Sequence, residues 1–220
     1  MPLVAAPDPA IRLIPSRYPP IQAFDDVASP DDLEAVMALE GWTNDRLVAQ
    51  RLARLPRDEW VHGRPNASIV MAAFLHVALQ GGRFNGPELG AWYAAQDFKT
   101  AVAEVAHHLR RELWNTNKQV ETRQFRAYGA RLDGDFEDLR GEQVRQPEIF
   151  NPSSHVHSQA YGEKCRAAHG SGIIYDNLRL AGGTNIVAYR PSKILEVRQL
   201  DHWRITASLD AAPIAQRLKI

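Results

Sequence analysis

Residues Gly81–Glu104 read GGRFNGPELGAWYAAQDFKTAVAE, and this stretch sets the fold class because turn, strand and helix signals follow one another within it. Gly81, Gly82, Gly86 and Gly90, with Pro87 among them, specify an irregular loop rather than a periodic element. Ala91–Ala94 (AWYA) then reads as a short strand, since an aromatic pair flanked by small apolar residues suits a half-buried pleated surface. Asp97 follows as an N-cap, placed to accept from the free N–H groups of a helix over Phe98–Leu113. A strand that feeds directly into a capped helix predicts a mixed α/β chain.

Working outward, Ile11–Ile14 (IRLI) predicts another strand, stopped by Pro15 and by Pro19-Pro20. Residues 1–10, rich in Pro and Ala, are expected to be loose. Ser29-Pro30-Asp31-Asp32 is a helix start, with Ser29 as N-cap, proline in the first turn and acids at the positive helix end. It leads into LEAVMALE, and a second helical segment is expected from about Asn44 to Leu55. Asp58–Asn66 reads as a loop and Ala67–Leu79 (ASIVMAAFLHVAL) as an apolar, buried helix. Downstream, Gln124–Arg131 and Glu142–Val144 have strand character, and Ser158–Ala168 reads as helix. Gly172–Tyr175 (GIIY) and Asn185–Tyr189 (NIVAY) are strands separated by the Ala181-Gly182-Gly183 turn. Ile194–Leu209 suggests further strands. The pattern predicts a single α+β domain over residues 11–220, with a small, mostly antiparallel core sheet surrounded by helices.

The chain has 220 residues, 45% hydrophobic and 24% charged, with 26 Lys+Arg against 26 Asp+Glu. This is an ordinary globular composition. The neutral balance gives no electrostatic case for binding nucleic acid or an anionic membrane surface. Cys165 is the single cysteine, which excludes an internal disulfide and multi-cysteine metal centres. No apolar run approaches the ~20 residues of a membrane span. The N-terminal MPLVAAPDPA lacks the basic segment of a secretion signal, so the expected compartment is the cytoplasm.

The residues that carry chemistry lie in the same central stretch. Arg83 sits in the glycine-rich turn, where backbone can approach a ligand and a guanidinium can grip phosphate with two parallel hydrogen bonds. Tyr93 can present its ring to a planar base, with Trp92 on the opposite face of the strand as a core residue. Glu104 falls beside an apolar helix stripe, and burying a carboxylate is costly unless it is paired or functional. Arg, Tyr and Glu in this order are the parts needed to hold a dinucleotide and break its nicotinamide–ribose bond, because a carboxylate can stabilise an oxocarbenium-like ribose. Each residue also has a structural alternative: a turn arginine paired with a carboxylate, a core aromatic, and a surface glutamate paired with His108 one helical turn on. Glu104, His107 and His108 form an E-x-x-H spacing that allows a metal site, to which His155 and His157 could add ligands if their loop folded near. Asn177, beyond the strand GIIY, can donate and accept at once, as carboxamide recognition requires; a plain turn asparagine is the alternative. Ser171 is not set in a G-x-S-x-G nucleophile turn.

The motifs IRLIPSRYPPI, GGRFN…WYAA…TAVAEVAHH and GSGIIYDNLR…GGTNIVAYRP together resemble the RES-domain family, toxins of bacterial toxin–antitoxin modules whose antitoxin is Xre-like. The resemblance runs from about Ile11 to Pro191. It implies an ADP-ribosyltransferase-like fold that takes NAD as co-substrate, with no metal, and cleaves it at nicotinamide. Arg83 matches the family's central arginine, Tyr93 its aromatic and Glu104 its glutamate. These three would form the catalytic set. Arg12, Arg17 and Tyr18 lie in the N-terminal motif, and either arginine fits the family's first. In the pattern Gly-x-x-Tyr-Pro-Ser-x-Arg this chain has Asn177 for the serine and Asp176 for the proline. NAD would thus meet Arg12 or Arg17, Tyr18, Arg83, Tyr93 and Asn177. The acceptor of ADP-ribose differs among family members: a protein such as phosphoribosyl pyrophosphate synthetase, phosphate, or water. The insertion ahead of Gly81 favours a protein acceptor, and GRPNAS (63–68) is expected beside the same pocket. Expected partners are NAD, a cognate antitoxin and a protein acceptor, with a homo-oligomer inside the antitoxin complex as a further expectation. The competing readings are a metal-dependent hydrolase and a non-catalytic nucleotide-binding module.

Overall fold

A computed structural model describes residues 1–18, 24–29, 31–33, 35 and 50–219. Among them, nine strands form one sheet: β1 (Leu3–Ala5), β2 (Ala10–Pro15), β3 (Trp92–Ala95), β4 (Val120–Leu132), β5 (Asp135–Asp138), β6 (Gly172–Asp176), β7 (Thr184–Ala188), β8 (Ile194–Ser208) and β9 (Ile214–Leu218). Their spatial order is β1-β5-β6-β7-β3-β2-β4-β8-β9. Neighbours are antiparallel except β5 and β6, which run parallel. Three helices pack on it: α1 (Ala67–Leu75), α2 (Phe98–Thr116) and α3 (Val156–Ala167). The α+β class and antiparallel character agree with the sequence reading, whereas the sheet is larger than the small core expected.

Strand alternation divides the core between two faces. Trp92, Ala94, Ile174 and Ile186 pack with Val70, Met71 and Phe74 of α1. The intervening positions face the other way. Tyr93, Ile173, Tyr175 and Val187 pack with Phe84 and with Cys165 of α3, while Ile11 and Ala95 meet Ala101 of α2. Along α2, Val102, Ala106, Leu109 and Leu113 are buried at helical spacing, so this helix turns one stripe to the sheet. Asp97 caps it as read, its Oδ1 accepting from the Thr100 N–H at 2.7 Å.

Several boundaries differ from the sequence expectation for identifiable reasons. Residues 3–5, expected to be loose, pair with β5 as an edge strand. Helix α1 stops at Leu75, not Leu79: His76 turns extended, and the Phe74 and Leu75 carbonyls accept from the Gly90 N–H and Arg51 Nη1. Glu142–Val144 is a turn, with the Gln146 N–H donating to the Glu142 carbonyl and Val144 facing solvent. The long pair β4–β8 extends well beyond Gln124–Arg131 and carries two register irregularities. Ser29 does cap the first helical turn, its Oγ accepting from the Asp32 N–H at 3.1 Å. Most of LEAVMALE and the first part of the Asn44–Leu55 helix lie outside the described residues; residues 50–52 are helical. No helix among the described residues is long and apolar enough to cross a membrane.

One close approach fixes the glycine-rich loop. A Cβ on Gly162 of α3 would overlap the Phe84 carbonyl oxygen and the Tyr189 hydroxyl. Only glycine lets the helix lie this close to the loop that carries Arg83. Overpacking of this kind costs ~1–3 kcal/mol, so Gly162→Ala should lower the unfolding free energy by about that much, seen as a lower urea midpoint at an unchanged m-value; an unchanged midpoint would show that the loop is not clamped there. Cys165 is buried beside it, and burial together with Glu137 pushes its thiol up to about 12. At pH 8 the thiol is thus protonated and inert. Iodoacetamide should label it only as the chain unfolds, with prompt labelling of the folded protein as the contrary result.

Candidate active site

On the α2 face, β2 and β3 touch at one register pair, Ile11 with Ala95, and diverge beyond it. Helix α2 runs past this gap and leaves a cleft of about 290 Å³, lined among others by Arg12, Tyr93, Glu104, His108, Tyr175 and Asn185. Small-molecule sites span roughly 300–1,000 Å³, so the cleft matches a nucleoside-sized group rather than a whole dinucleotide.

Glu104 is held from the β6–β7 hairpin. Asn177 Nδ2 donates to Glu104 Oε1 at 3.0 Å and Asn185 Nδ2 donates to the same oxygen at 2.9 Å. Asn177 Nδ2 also donates to Asn185 Oδ1 at 3.1 Å. The second carboxylate oxygen accepts from no protein group among the described residues. The partner pictured from sequence, His108, lines the cleft without bonding to Glu104. Asn177 is fully engaged as well: its Oδ1 accepts from the Arg179 and Leu180 N–H groups at 2.6 and 2.7 Å. It touches the carboxylate rather than offering a free amide to a ligand.

Tyr93 joins the cleft to the glycine-rich loop. Its hydroxyl donates to Asn85 Oδ1 at 2.7 Å and accepts from the Phe84 N–H at 2.9 Å. Burial, as the main cause, raises its pKa, so the phenol stays protonated and anchored while the ring forms part of the wall. Arg83 Nη1 donates to the Asn151 and Ile149 carbonyls at 3.2 and 3.5 Å. Burial is the largest cause lowering the Arg83 pKa; nearby Tyr175 and Glu104 oppose it and Arg179 adds to it. Arg83 therefore lies within electrostatic reach of the carboxylate, with one guanidinium nitrogen already committed.

The two N-terminal arginines part company. Arg12 lines the cleft; its Nη1 donates to the Tyr93 carbonyl at 2.8 Å, and its guanidinium lies 4.8 Å from the Trp92 ring centroid. Burial lowers its pKa to about 10, which leaves it charged at neutral pH, and its Nε has no partner among the described residues. Arg17 and Ser16 border a separate cavity with Arg123 and Gln124. There Arg17 Nη2 donates to the exposed Tyr18 hydroxyl at 3.0 Å. The structure thus brings together Arg12, Arg83, Tyr93, Glu104 and Asn177, and leaves Arg17 and Tyr18 outside. GRPNAS also lies apart: Arg64 Nη2 donates to the Ile194 carbonyl and Asn66 Nδ2 to the Val197 carbonyl, each at 2.9 Å.

Positive charge lies close to the cleft: Arg111 and Arg179 act on His108, which lines it. Arg179, Arg111 and Arg83 act on His155, and Arg179 and Arg111 act on His107. Burial first, then these cations, lower the His107 pKa to about 4, so this imidazole is neutral at pH 7. Among the described residues no three His, Cys, Asp or Glu side chains converge as a metal-ligand set; Glu104, His107 and His108 are spaced along one helix without a coordination shell. Sequence reasoning missed Tyr175, Asn185 and Arg179 as site residues. The available signal was an asparagine at an inward position of the otherwise apolar strand NIVAY, since buried polar groups are informative.

A model of the RES domain matches residues 51–208 of the chain. The match takes in the central and C-terminal motifs and begins downstream of IRLIPSRYPPI. The uncharacterized protein y4oC of Sinorhizobium fredii is 30% identical over 138 residues, 62% of this chain and 59% of that protein. The chain therefore spans less than two thirds of that relative's length. Among solved structures, the M. tuberculosis MbcT–MbcA toxin–antitoxin complex aligns at 21% identity and a TM-score of 0.41, covering 56% of this chain and 73% of that one. With its family match extending over more than half of the sequence, the chain belongs to the RES-domain family.

Proposed function

We propose that the protein is an NAD-consuming enzyme, the toxin of a toxin–antitoxin module, which breaks the nicotinamide–ribose bond and passes ADP-ribose to an acceptor. The observation that carries this reading is Glu104. One of its oxygens is held by two neutral amides, the other has no partner among the described residues, and the side chain borders a nucleoside-sized cleft. The donor set suits the substrate: a carboxylate for ribose hydroxyls, an aromatic wall for nicotinamide, and guanidinium groups for a diphosphate.

In this mechanism Tyr93 and Tyr175 wall the nicotinamide ring, and Arg83 with Arg179 draws the diphosphate to the rim. Arg12, beneath the cleft, supplies positive charge and an unpartnered Nε. The C–N bond breaks with its electron pair passing to the ring nitrogen, which neutralises the pyridinium. Nicotinamide therefore leaves without needing a proton, and one carboxylate suffices where O-glycosidases use a pair. Glu104 stabilises the positive charge that develops on the ribose. A lone pair of the acceptor then bonds to the ribosyl carbon, and the acceptor's proton goes to solvent.

The acceptor is proposed to be a protein, such as phosphoribosyl pyrophosphate synthetase; the long stretch between the N-terminal motif and Gly81 is the sequence feature that favours it. Water and phosphate are the other acceptors to be tested. The partner is proposed to be an Xre-like antitoxin that covers the cleft, with a homo-oligomer within that complex.

Glu104→Gln should retain its fold and lose ~10²–10³-fold in nicotinamide release, the usual effect of removing one preorganised electrostatic group. Near-normal turnover by the folded variant would contradict the assignment, and tight NAD binding with no release by the native chain would instead support a binding module. With NAD labelled in the ADP-ribose half, label should move to a protein band in a cell lysate. Free ADP-ribose or its phosphate ester as sole product would reject the protein acceptor.

A further inference from the structure

We infer that Asn185 is a positioning residue for Glu104, with Asn177 as its partner, and that the pair fixes which carboxylate oxygen faces the substrate; this rests on the NAD-cleaving reading above. Both asparagines are buried, Asn177 at 5% and Asn185 at 4% exposure. Their amides converge on Oε1 of Glu104 at 3.0 and 2.9 Å and bond to one another at 3.1 Å. The three side chains therefore close a ring of hydrogen bonds in which neither asparagine can turn without breaking two contacts.

The backbone beneath them is equally constrained. Asn185 lies within β7, paired to Ala95 of β3 on one side and to Tyr175 of β6 on the other. Asn177 begins the turn after β6, its N–H donating to the Gly183 carbonyl at 2.8 Å. Glu104 comes from a different element, α2, so the amides also tie that helix to the hairpin at the level of the cleft.

Two consequences follow from the chemistry of the donors. The terminal torsion of a glutamate is broad, so a carboxylate without fixed donors presents its oxygens in many orientations. Two donors on one oxygen remove that freedom and reserve the lone pairs of Oε2 for ribose hydroxyls. The donors are also neutral. An arginine or lysine at the same place would hold the carboxylate but offset the negative charge where the ribosyl cation forms, whereas amides orient it and leave its charge in place.

A double-mutant cycle tests this, because a residue that acts through Glu104 has no effect once the carboxylate is gone. Nicotinamide release and NAD affinity are measured for the native chain, Asn185→Leu, Glu104→Gln and the double variant, with thermal unfolding of each. Leucine keeps the branching and heavy-atom count of asparagine and removes the donor; Asn185→Ser, too short to reach Oε1, serves if the leucine variant does not fold. In the native background the loss of Asn185 should lower kcat about 10-fold or more, with NAD affinity within about threefold. In the Glu104→Gln background the further loss should be under about threefold. Equal losses in both backgrounds, or no loss in the native one, overturn the inference and leave the NAD reading intact. A native chain that releases no nicotinamide overturns both.

Discussion

The contact on which the site depends joins a helix to a hairpin: two asparagine amides of the β6–β7 unit meet one carboxylate oxygen of α2. Helix α2 reaches the sheet through an apolar stripe that includes Val102 and Ala106, each two positions from Glu104. Apolar packing is non-directional and fixes the height of the helix above the sheet more firmly than its rotation. The amides supply the direction. Without them the carboxylate would sit at a partly buried position with solvent and His108 as company. With them it is held in one orientation beside the cleft, and the cost of removing it from water is met by two hydrogen bonds.

A second tie, from Tyr93 to the glycine-rich loop, sets the opposite wall. The tyrosine hydroxyl uses its donor and its acceptor on Asn85 and Phe84, so the ring cannot swing and the loop cannot lift without leaving both unpaired. Gly162 permits α3 to press on the same loop from outside. Arg83 then bonds the Ile149 and Asn151 carbonyls, which binds a second irregular segment to the rim. The walls of the cleft are thus strands and a helix, and the glycine-rich loop behind Tyr93 is hydrogen-bonded to one of those strands.

How much of this was legible in the sequence depended on whether the signal was local. Asp97 and the helix after it were readable because a cap acts within three residues. The strands GIIY and NIVAY were readable because both faces of the sheet are covered there and the residues are mostly apolar. Strand β1 was not, since three residues near Pro2 and Pro7 carry no periodicity and only pairing with β5 defines them. The choice between Arg12 and Arg17 was beyond the sequence for a related reason. Both are single arginines near one strand, and only the tertiary packing shows that one lines the cleft while the other borders a separate cavity past the strand's end. Asn185 was hidden inside a strand motif read for its apolar neighbours. Asn177 was seen, but its four hydrogen bonds are tertiary and turn contacts that a side chain's chemistry alone does not reveal.

The central claim is that the free oxygen of Glu104 faces the nicotinamide-bearing ribose. The most direct test is a crystal structure of the Glu104→Gln chain with NAD. The nicotinamide ribose is expected in the cleft with a hydroxyl on the residue 104 side chain, the nicotinamide ring against Tyr93, and the diphosphate between Arg83 and Arg179. NAD bound elsewhere, or with its adenine end in the cleft and the nicotinamide in solvent, would contradict it.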